Sequence, residues 1–356
     1  MKIIHIIEAS ATGTLSMASL LANLQSKDGS SVEVIYSARD DTPRDFPQLF
    51  EQKIKLTQIQ MFTSIEKIKS IFYIREILIN ENPKVVIMHS SFAGFLGRLA
   101  SVFILKDSKF FYIPHCISFM RKDINLIKKC LFIIFEWIGS IKNATFIACS
   151  KSEQIEIKKY VPFRECMVIE NAVSNILSED RKEGNEIEIV TVGRISHQKN
   201  PKDFLKISAL VKKEFPSVKF IWIGDGDERE KRILQSNNIE VTGWLSKSEV
   251  IKKLLSATLY LSSAKWEGMP VSLIEAIYAK LPIVASNCAG NIDVINPNQT
   301  GWIYRNNEEA AKIILLAVRD NTVAKKLALN AYNEATLRYN EDRYFSEFKN
   351  LINTNI

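Results

Sequence analysis

Apolar residues recur along this chain in two alternating rhythms. Short runs rich in β-branched and aromatic residues read as strands: Lys2–Ile7, Val32–Tyr36, Val85–Met88, Phe110–Ile113 and Thr145–Cys149. Between several of them, near 15–24, 64–82, 92–105 and 124–140, apolar positions return at helical spacing. Strand–helix alternation of this kind predicts a parallel sheet with helices on both faces. A polar break at 174–186 (SNILSEDRKEGNE) interrupts the pattern and is the best linker candidate. The rhythm then restarts with Ile187–Val192, Val218–Ile223, Glu240–Thr242, Leu259–Ser262 and Pro282–Ser286. The expectation is an α/β chain of two Rossmann-like domains, 1–173 and 187–335. A helical segment at 336–356 is expected to pack back on the first domain. Two such domains facing across a cleft would hold ligands outside the carboxyl ends of their strands.

Composition narrows the partners. The 356 residues suit two domains, and the 46% apolar content is ample for two cores. A net charge of +7 calls for an anionic partner: a phosphate-bearing ligand, a membrane surface or nucleic acid. No helix-turn-helix or RNA-binding signature accompanies the charge, so nucleic acid is not expected. Five scattered cysteines without a CxxC pair (Cys116, Cys130, Cys149, Cys166, Cys288) indicate neither a zinc ribbon nor a disulfide framework, and read as reduced cytoplasmic thiols. The opening MKIIHIIEAS is too short for a signal peptide, and no apolar run reaches the 18 or so residues of a spanning helix.

The most informative stretch is Trp266–Ala276 (WEGMPVSLIEA). Gly268 permits a tight backbone and Pro270 suits a helix start. Main-chain N–H groups over Met269, Pro270, Val271, Ser272 and Leu273 would then border an anion site at a helix N-terminus, Pro270 lacking the group. Glu267 and Glu275 are spaced to face a sugar and a ribose of one ligand. Taken alone, they could equally be two solvated glutamates.

The segment resembles the E-x7-E motif of glycosyltransferase family 4, the retaining family of GT-B fold, with Glu267 and Glu275 at its two positions. Upstream, Val192–Asn200 (VGRISHQKN) resembles the family's G-R-x4-K element. The resemblance assigns Arg194 and Lys199 to the donor diphosphate, where cations offset charge developing on the leaving group. Gly224 in FIWIGDG and Trp244 in VTGW resemble segments beside the nucleotide base. Asn171 in IENAV resembles the family's N-G-V linker, with Ala172 in place of the usual glycine. His115, after Ile113-Pro114, matches a histidine facing the donor sugar. Gly13 is what remains of a first-turn glycine pair. Asp225-Gly226-Asp227 spells a D-x-D, the metal-binding motif of another glycosyltransferase fold. Here it sits in a glycine loop, and no metal or other cofactor is expected.

The resemblance implies a bacterial enzyme of O-antigen, capsule or exopolysaccharide synthesis. It would move a sugar from a nucleotide sugar, expected to be UDP-linked, to a lipid-linked oligosaccharide at the inner face of the cytoplasmic membrane. Arg121, Lys122, Lys128 and Lys129, mixed with Leu126, Ile127, Leu131, Phe132, Ile134 and Phe135, read either as a core helix or as a helix lying on an anionic membrane surface. Two other classes stay open: a nucleotide-sugar 2-epimerase and a non-catalytic nucleotide-sugar-binding assembly partner.

Overall fold

The computed structural model describes residues 1–174 and 186–354. All but the two ends of the expected linker, and residues 355–356, therefore lie outside the described residues. The chain forms two compact units. One comprises Met1–Asn171 with Glu341–Ile356; the other is Ala172–Asn340.

In the first unit the strands are β1 (Lys2–Ile7), β2 (Ser31–Tyr36), β3 (Lys55–Gln58), β4 (Val85–His89), β5 (Lys109–Ile113), β6 (Thr145–Ala148) and β7 (Cys166–Val168). Among the described residues they make one seven-stranded sheet of order β3-β2-β1-β4-β5-β6-β7, every pair parallel. The connections carry α1 (Thr12–Lys27), α2 (Ser64–Glu81), α3 (Ser91–Ala100), α4 (Leu126–Gly139) and α5 (Lys151–Tyr160). In the second unit β8 (Glu188–Val192), β9 (Lys219–Ile223), β10 (Glu240–Val241), β11 (Leu259–Ser262), β12 (Ile283–Ser286) and β13 (Trp302–Tyr304) form a parallel sheet of order β10-β9-β8-β11-β12-β13. Its helices are α6 (Pro201–Glu214), α7 (Glu228–Ser236), α8 (Lys247–Ser256), α9 (Val271–Tyr278), α10 (Asn291–Val294), α11 (Asn307–Arg319) and α12 (Asn321–Arg338).

Helices on both sheet faces explain why the central strands carry almost unbroken apolar runs: all five residues of β4 are buried. The strands absent from the sequence reading, β3, β7 and β13, have four residues or fewer. The first two border the first sheet and β13 borders the second. β3 (KLTQ), covered on part of its length only, carries no apolar run, while β7 (CMV) and β13 (WIY) are apolar but too short to stand out.

The final helix, α13 (Glu341–Thr354), belongs to the first unit. It buries Tyr344, Phe348, Leu351 and Ile352. The Arg343 guanidinium donates to the Glu170 and Asn171 carbonyls at 2.7 and 3.2 Å, and Lys349 pairs with Asp28 at 2.8 Å.

α4 departs from an ordinary core helix. Of its fourteen residues, those buried are Glu136 and Gly139, while Leu126 and Ile127 are 80% and 71% exposed. Leu131, Ile134, Phe135, Trp137 and Ile138 are also exposed. The helix is fixed by charge instead. Fully buried Arg98 on α3 donates to Glu136 at 2.6 Å and to the Gly94 carbonyl at 2.7 Å, and the Tyr112 hydroxyl donates to the same carboxylate at 3.0 Å. The guanidinium lies over the Tyr112 ring, 4.5 Å from its centroid. A Cβ at Gly139 would come within 2.8 Å of that guanidinium, so the close approach requires glycine.

Removing one member of a buried pair strands the other. Glu136→Ala is expected to destabilise the first unit by about 3–5 kcal/mol, measured by urea denaturation. A loss below about 1 kcal/mol, the scale of an exposed pair, would contradict this account of how α4 is held.

Candidate active site

In each sheet the strand order reverses beside the first strand, between β1 and β4 and between β8 and β11. Open parallel sheets bind ligands outside the carboxyl ends of strands at such points. The singled-out residues of each unit gather largely there.

In the second unit the loop after β8 is locked to the loop after β9 through the main chain. Gly193 N–H donates to the Ile223 carbonyl, Ile195 N–H to the Asp225 carbonyl and Asp227 N–H to the Ile195 carbonyl, at 2.8–2.9 Å. The Trp222 indole donates to the Gly193 carbonyl at 2.8 Å. Gly224 has φ +138°, and a Cβ there would meet the Gly193 carbonyl oxygen at 2.3 Å. No other residue fits. Arg194 is half-buried on this loop.

The same loop reaches the segment after β11. Lys265 N–H donates to the Gln198 carbonyl at 2.8 Å, and Ser263 Oγ donates to the Lys199 carbonyl at 2.8 Å. Lys199 Nζ lies 2.8 Å from Glu267 Oε1, and Gln198 Nε2 donates to Glu267 Oε2 at 3.1 Å. The two motifs thus meet side chain to side chain. Burial pulls the Lys199 ammonium down, but the Glu267 carboxylate, with Tyr260 and Cys288 adding to it, more than offsets this and the net shift is upward. Glu267 is held from behind: its N–H donates to the Ala289 carbonyl at 3.0 Å, and a Cβ at Gly290, φ +84°, would strike Glu267 Cβ at 2.5 Å.

Pro270 stands at the N-cap of α9, one residue before the helix begins at Val271, with Met269 buried beside it. Ser272 Oγ shares a hydrogen bond of 3.0 Å with the Tyr260 hydroxyl. Leu273 points into the core. Glu275, half-buried on the second turn, forms an ion pair with Lys247. Trp244 is 52% exposed. The D-x-D carboxylates have structural partners: Asp225 pairs with Lys231 at 2.9 Å, and Asp227 caps α7 by accepting from Glu230 N–H. Among the described residues no cluster of three His, Cys, Asp or Glu is arranged to hold a metal ion. None of the five cysteines is in a disulfide.

In the first unit Gly13 lies in the first turn of α1, but the left-handed residue of that loop is Thr12, φ +54°. Near it Glu8 is buried, with Arg39 at 3.7 Å and the Ser90 hydroxyl at 3.5 Å. Burial pushes its carboxyl up against the pull of Arg39 and Lys67. His115 follows β5 in a loop where both it and Cys116 are left-handed, φ +54° and +92°. That costly pair is pinned by the buried Glu153 carboxylate, which accepts from the N–H groups of Cys116 and Ile117 at 2.8 and 2.7 Å, and of Cys149 at 2.8 Å.

His115 also heads a row of rings. His5 Nδ1 meets His89 Nε2 at 3.0 Å, His89 Nδ1 meets His115 Nε2 at 3.0 Å, and His5 Nε2 meets Gln25 Oε1 at 2.7 Å. Parallel register builds the row. His5 lies opposite Ile87 and His89 opposite Ile113, so each ring sits one strand over and two residues on, along one sheet face. Burial pushes His5 and His115 down to about 4 and His89 well below its usual value, so all three are neutral at pH 7. Glu153 and Gln25 on helices, and His5 and His89 on strands, escape a reading of the sequence, because only the folded chain brings them to their partners. A separate hollow of about 570 Å³ beside β3 and α2 includes Gln60, Lys69 and Tyr73 in its lining, and none of the residues singled out above.

Residues 174–334 match the family model described as Glycosyl transferases group 1. The chain is 26% identical over 333 residues to an uncharacterized 41.2 kDa protein in the cps region of Klebsiella pneumoniae, covering 88% of each chain. It is 26% identical to the UDP-Gal:alpha-D-GlcNAc-diphosphoundecaprenol alpha-1,3-galactosyltransferase of Escherichia coli, covering 81% of this chain and 79% of that one. In fold it is similar to HepE of Anabaena in complex with UDP (TM-score 0.80, 18% identity, 99% and 100% covered). It is similar also to WaaB, a lipopolysaccharide outer core galactosyltransferase (TM-score 0.71, 21% identity, both chains fully covered). The likeness is one of fold, and the two Rossmann-like parallel sheets are of GT-B type.

The Lys199–Glu267 pair ties the loop after β8 to the segment after β11. Lys199→Ala is expected to cost the second unit about 2–3 kcal/mol, at the low side of a buried pair because the ammonium stays partly solvated. The double variant Lys199→Met with Glu267→Gln should recover most of that loss. Equal urea midpoints for Lys199→Ala and the parent would show that the pair does not hold the loop.

Proposed function

We propose that this chain, whose residues 174–334 match the group 1 glycosyl transferase family model, is a retaining, metal-independent enzyme that moves a sugar from a UDP-sugar to a lipid-linked oligosaccharide. The setting is bacterial O-antigen, capsule or exopolysaccharide assembly at the inner face of the cytoplasmic membrane. One observation carries the reading: the loop bearing Arg194 and Lys199 meets Glu267 where the second sheet reverses. Curated relatives named for lipid-diphosphate acceptors support the acceptor class, and a solved neighbour holding UDP supports the donor class.

Arg194 and Lys199 neutralise the donor diphosphate, with main-chain groups of Gly268, Met269, Val271 and Ser272 beside it; each such contact is worth about 3–4 kcal/mol in the transition state. Glu275 takes the ribose hydroxyls. The loops at Gly224 and Trp244 border the base. Glu267 orients the sugar, and His115 hydrogen-bonds it. The acceptor hydroxyl attacks the anomeric carbon from the face the diphosphate leaves. The C–O bond to phosphate breaks as the new C–O bond forms, and a departing phosphate oxygen takes the hydroxyl proton. Configuration is thereby kept without a separate base.

The outward apolar face of α4, flanked by exposed Lys122 and Lys128, supports contact with an anionic lipid surface. Arg121 contributes less than its formal charge, because Asp123 holds it at 2.7 Å. No helix among the described residues is long and apolar enough to cross a membrane.

Incubation with UDP-sugars and an undecaprenyl-diphosphate-linked sugar is expected to yield an extended lipid product of retained anomeric configuration, undiminished in EDTA. An inverted product, or loss on chelation restored by manganese, would overturn the retaining or the metal-independent assignment. The protein is expected to sediment with anionic but not neutral vesicles, each basic residue contributing about 1 kcal/mol. Changing Arg121, Lys122, Lys128 and Lys129 to Gln should abolish this. Sedimentation indifferent to lipid charge and salt would remove the membrane role.

A further inference from the structure

The row of rings ends in a chemical asymmetry. Gln25 on α1 is buried and turns its carbonyl oxygen to His5 Nε2 at 2.7 Å. A carbonyl only accepts, so His5 Nε2 carries the proton. Because His5 is neutral, its Nδ1 is bare and accepts from His89 Nε2–H at 3.0 Å. His89 Nδ1 is then bare in turn and accepts from His115 Nε2–H at 3.0 Å. Each ring passes the same constraint to the next.

The geometry suits this transfer. Ring centroids are 5.2 and 5.3 Å apart and the planes differ by 9° and 12°. With nitrogens at 3.0 Å, the rings must meet edge to edge, nearly coplanar, with each N–H aimed along the next lone pair. The last lone pair, on His115 Nδ1, has no protein partner among the described residues.

We propose that Gln25, acting through His5 and His89, fixes His115 in its Nε2–H tautomer, so that Nδ1 presents a bare acceptor to a hydroxyl of the bound sugar. Gln25, His5 and His89 are positioning residues, and the sugar as occupant rests on the function proposed above. Nδ1 accepts from a hydroxyl but offers nothing to a phosphate or carboxylate oxygen. The opposite orientation of the Gln25 amide would reverse every ring and leave Nδ1–H facing the ligand.

The chain has four histidines, so long-range ¹H–¹⁵N spectra of the ¹⁵N-histidine-labelled full chain are assignable by single substitutions. At pH 7 the expected result is Nε2–H on His5, His89 and His115, with a bare Nδ1 on His115. Gln25→Met, which removes the acceptor, should give mixed tautomers at His115 and lower transfer about tenfold, the effect of one lost hydrogen bond. Gln25→Glu, which as a carboxylate accepts at the same place, should keep the parent pattern and rate. His5→Phe cuts the row at its second member and gives the same readout as Gln25→Met. Nδ1–H or imidazolium on His115 in the parent protein would overturn the proposal. So would an unchanged His115 spectrum in both Gln25→Met and His5→Phe. His115→Ala with undiminished transfer would overturn the sugar contact alone, because the parent spectrum reports the tautomer without any ligand.

Discussion

In a parallel sheet every connection between neighbouring strands must cross over a face, and right-handedness decides which. From β1 the chain winds outward to β2 and β3, then returns to β4 and winds the other way. The second sheet repeats this around β8. Connections on either side of the reversal leave on opposite faces, so the carboxyl ends of β1 and β4, and of β8 and β11, have no helix drawn across them. Only there can a loop turn side chains toward a ligand without losing core. Lys199 and Glu267 come from the strands bordering one such gap, and Glu8 and Ser90 from those bordering the other.

The two units solve positioning differently. In the second, main-chain hydrogen bonds lock the loops and opposite charges set the Lys199 and Glu267 side chains in place. In the first, neutral groups do most of it. Three uncharged imidazoles align through sheet register, and a buried carboxylate holds a strained loop by accepting N–H groups. The difference follows from burial. Lys199 keeps its charge because Glu267 compensates it, whereas His5 and His89, wholly enclosed, lose theirs.

What a sequence makes legible is what lies close along it. The interior strands and their helices announce themselves by local rhythm, and the E-x7-E and G-R-x4-K strings are compact enough to read directly. Edge strands β3, β7 and β13 do not: β3 (KLTQ) is largely polar, and β7 (CMV) and β13 (WIY), though apolar, are three residues long, too short to set up a rhythm. α4 stays ambiguous for another reason. Its apolar residues suit a core helix as well as a surface one, and it is Arg98, 38 residues earlier in the chain, that pulls Glu136 inward and turns those residues out. The histidine row is invisible for want of register: nothing at positions 5, 89 and 115 shows that three strands will lie side by side.

The interlock between the loops after β8 and β9 bears on how such a chain diversifies. Its bonds join peptide groups, which every residue but proline can supply, so they carry no side-chain information. Gly224 is confined by its contact with the Gly193 carbonyl, but the side chains of Arg194, Ser196 and Gln198 hang from a frame that would persist if they changed. Selection for a new substrate can then act on those side chains without first rebuilding the scaffold, and lineages can drift far apart in sequence while the loops keep their path.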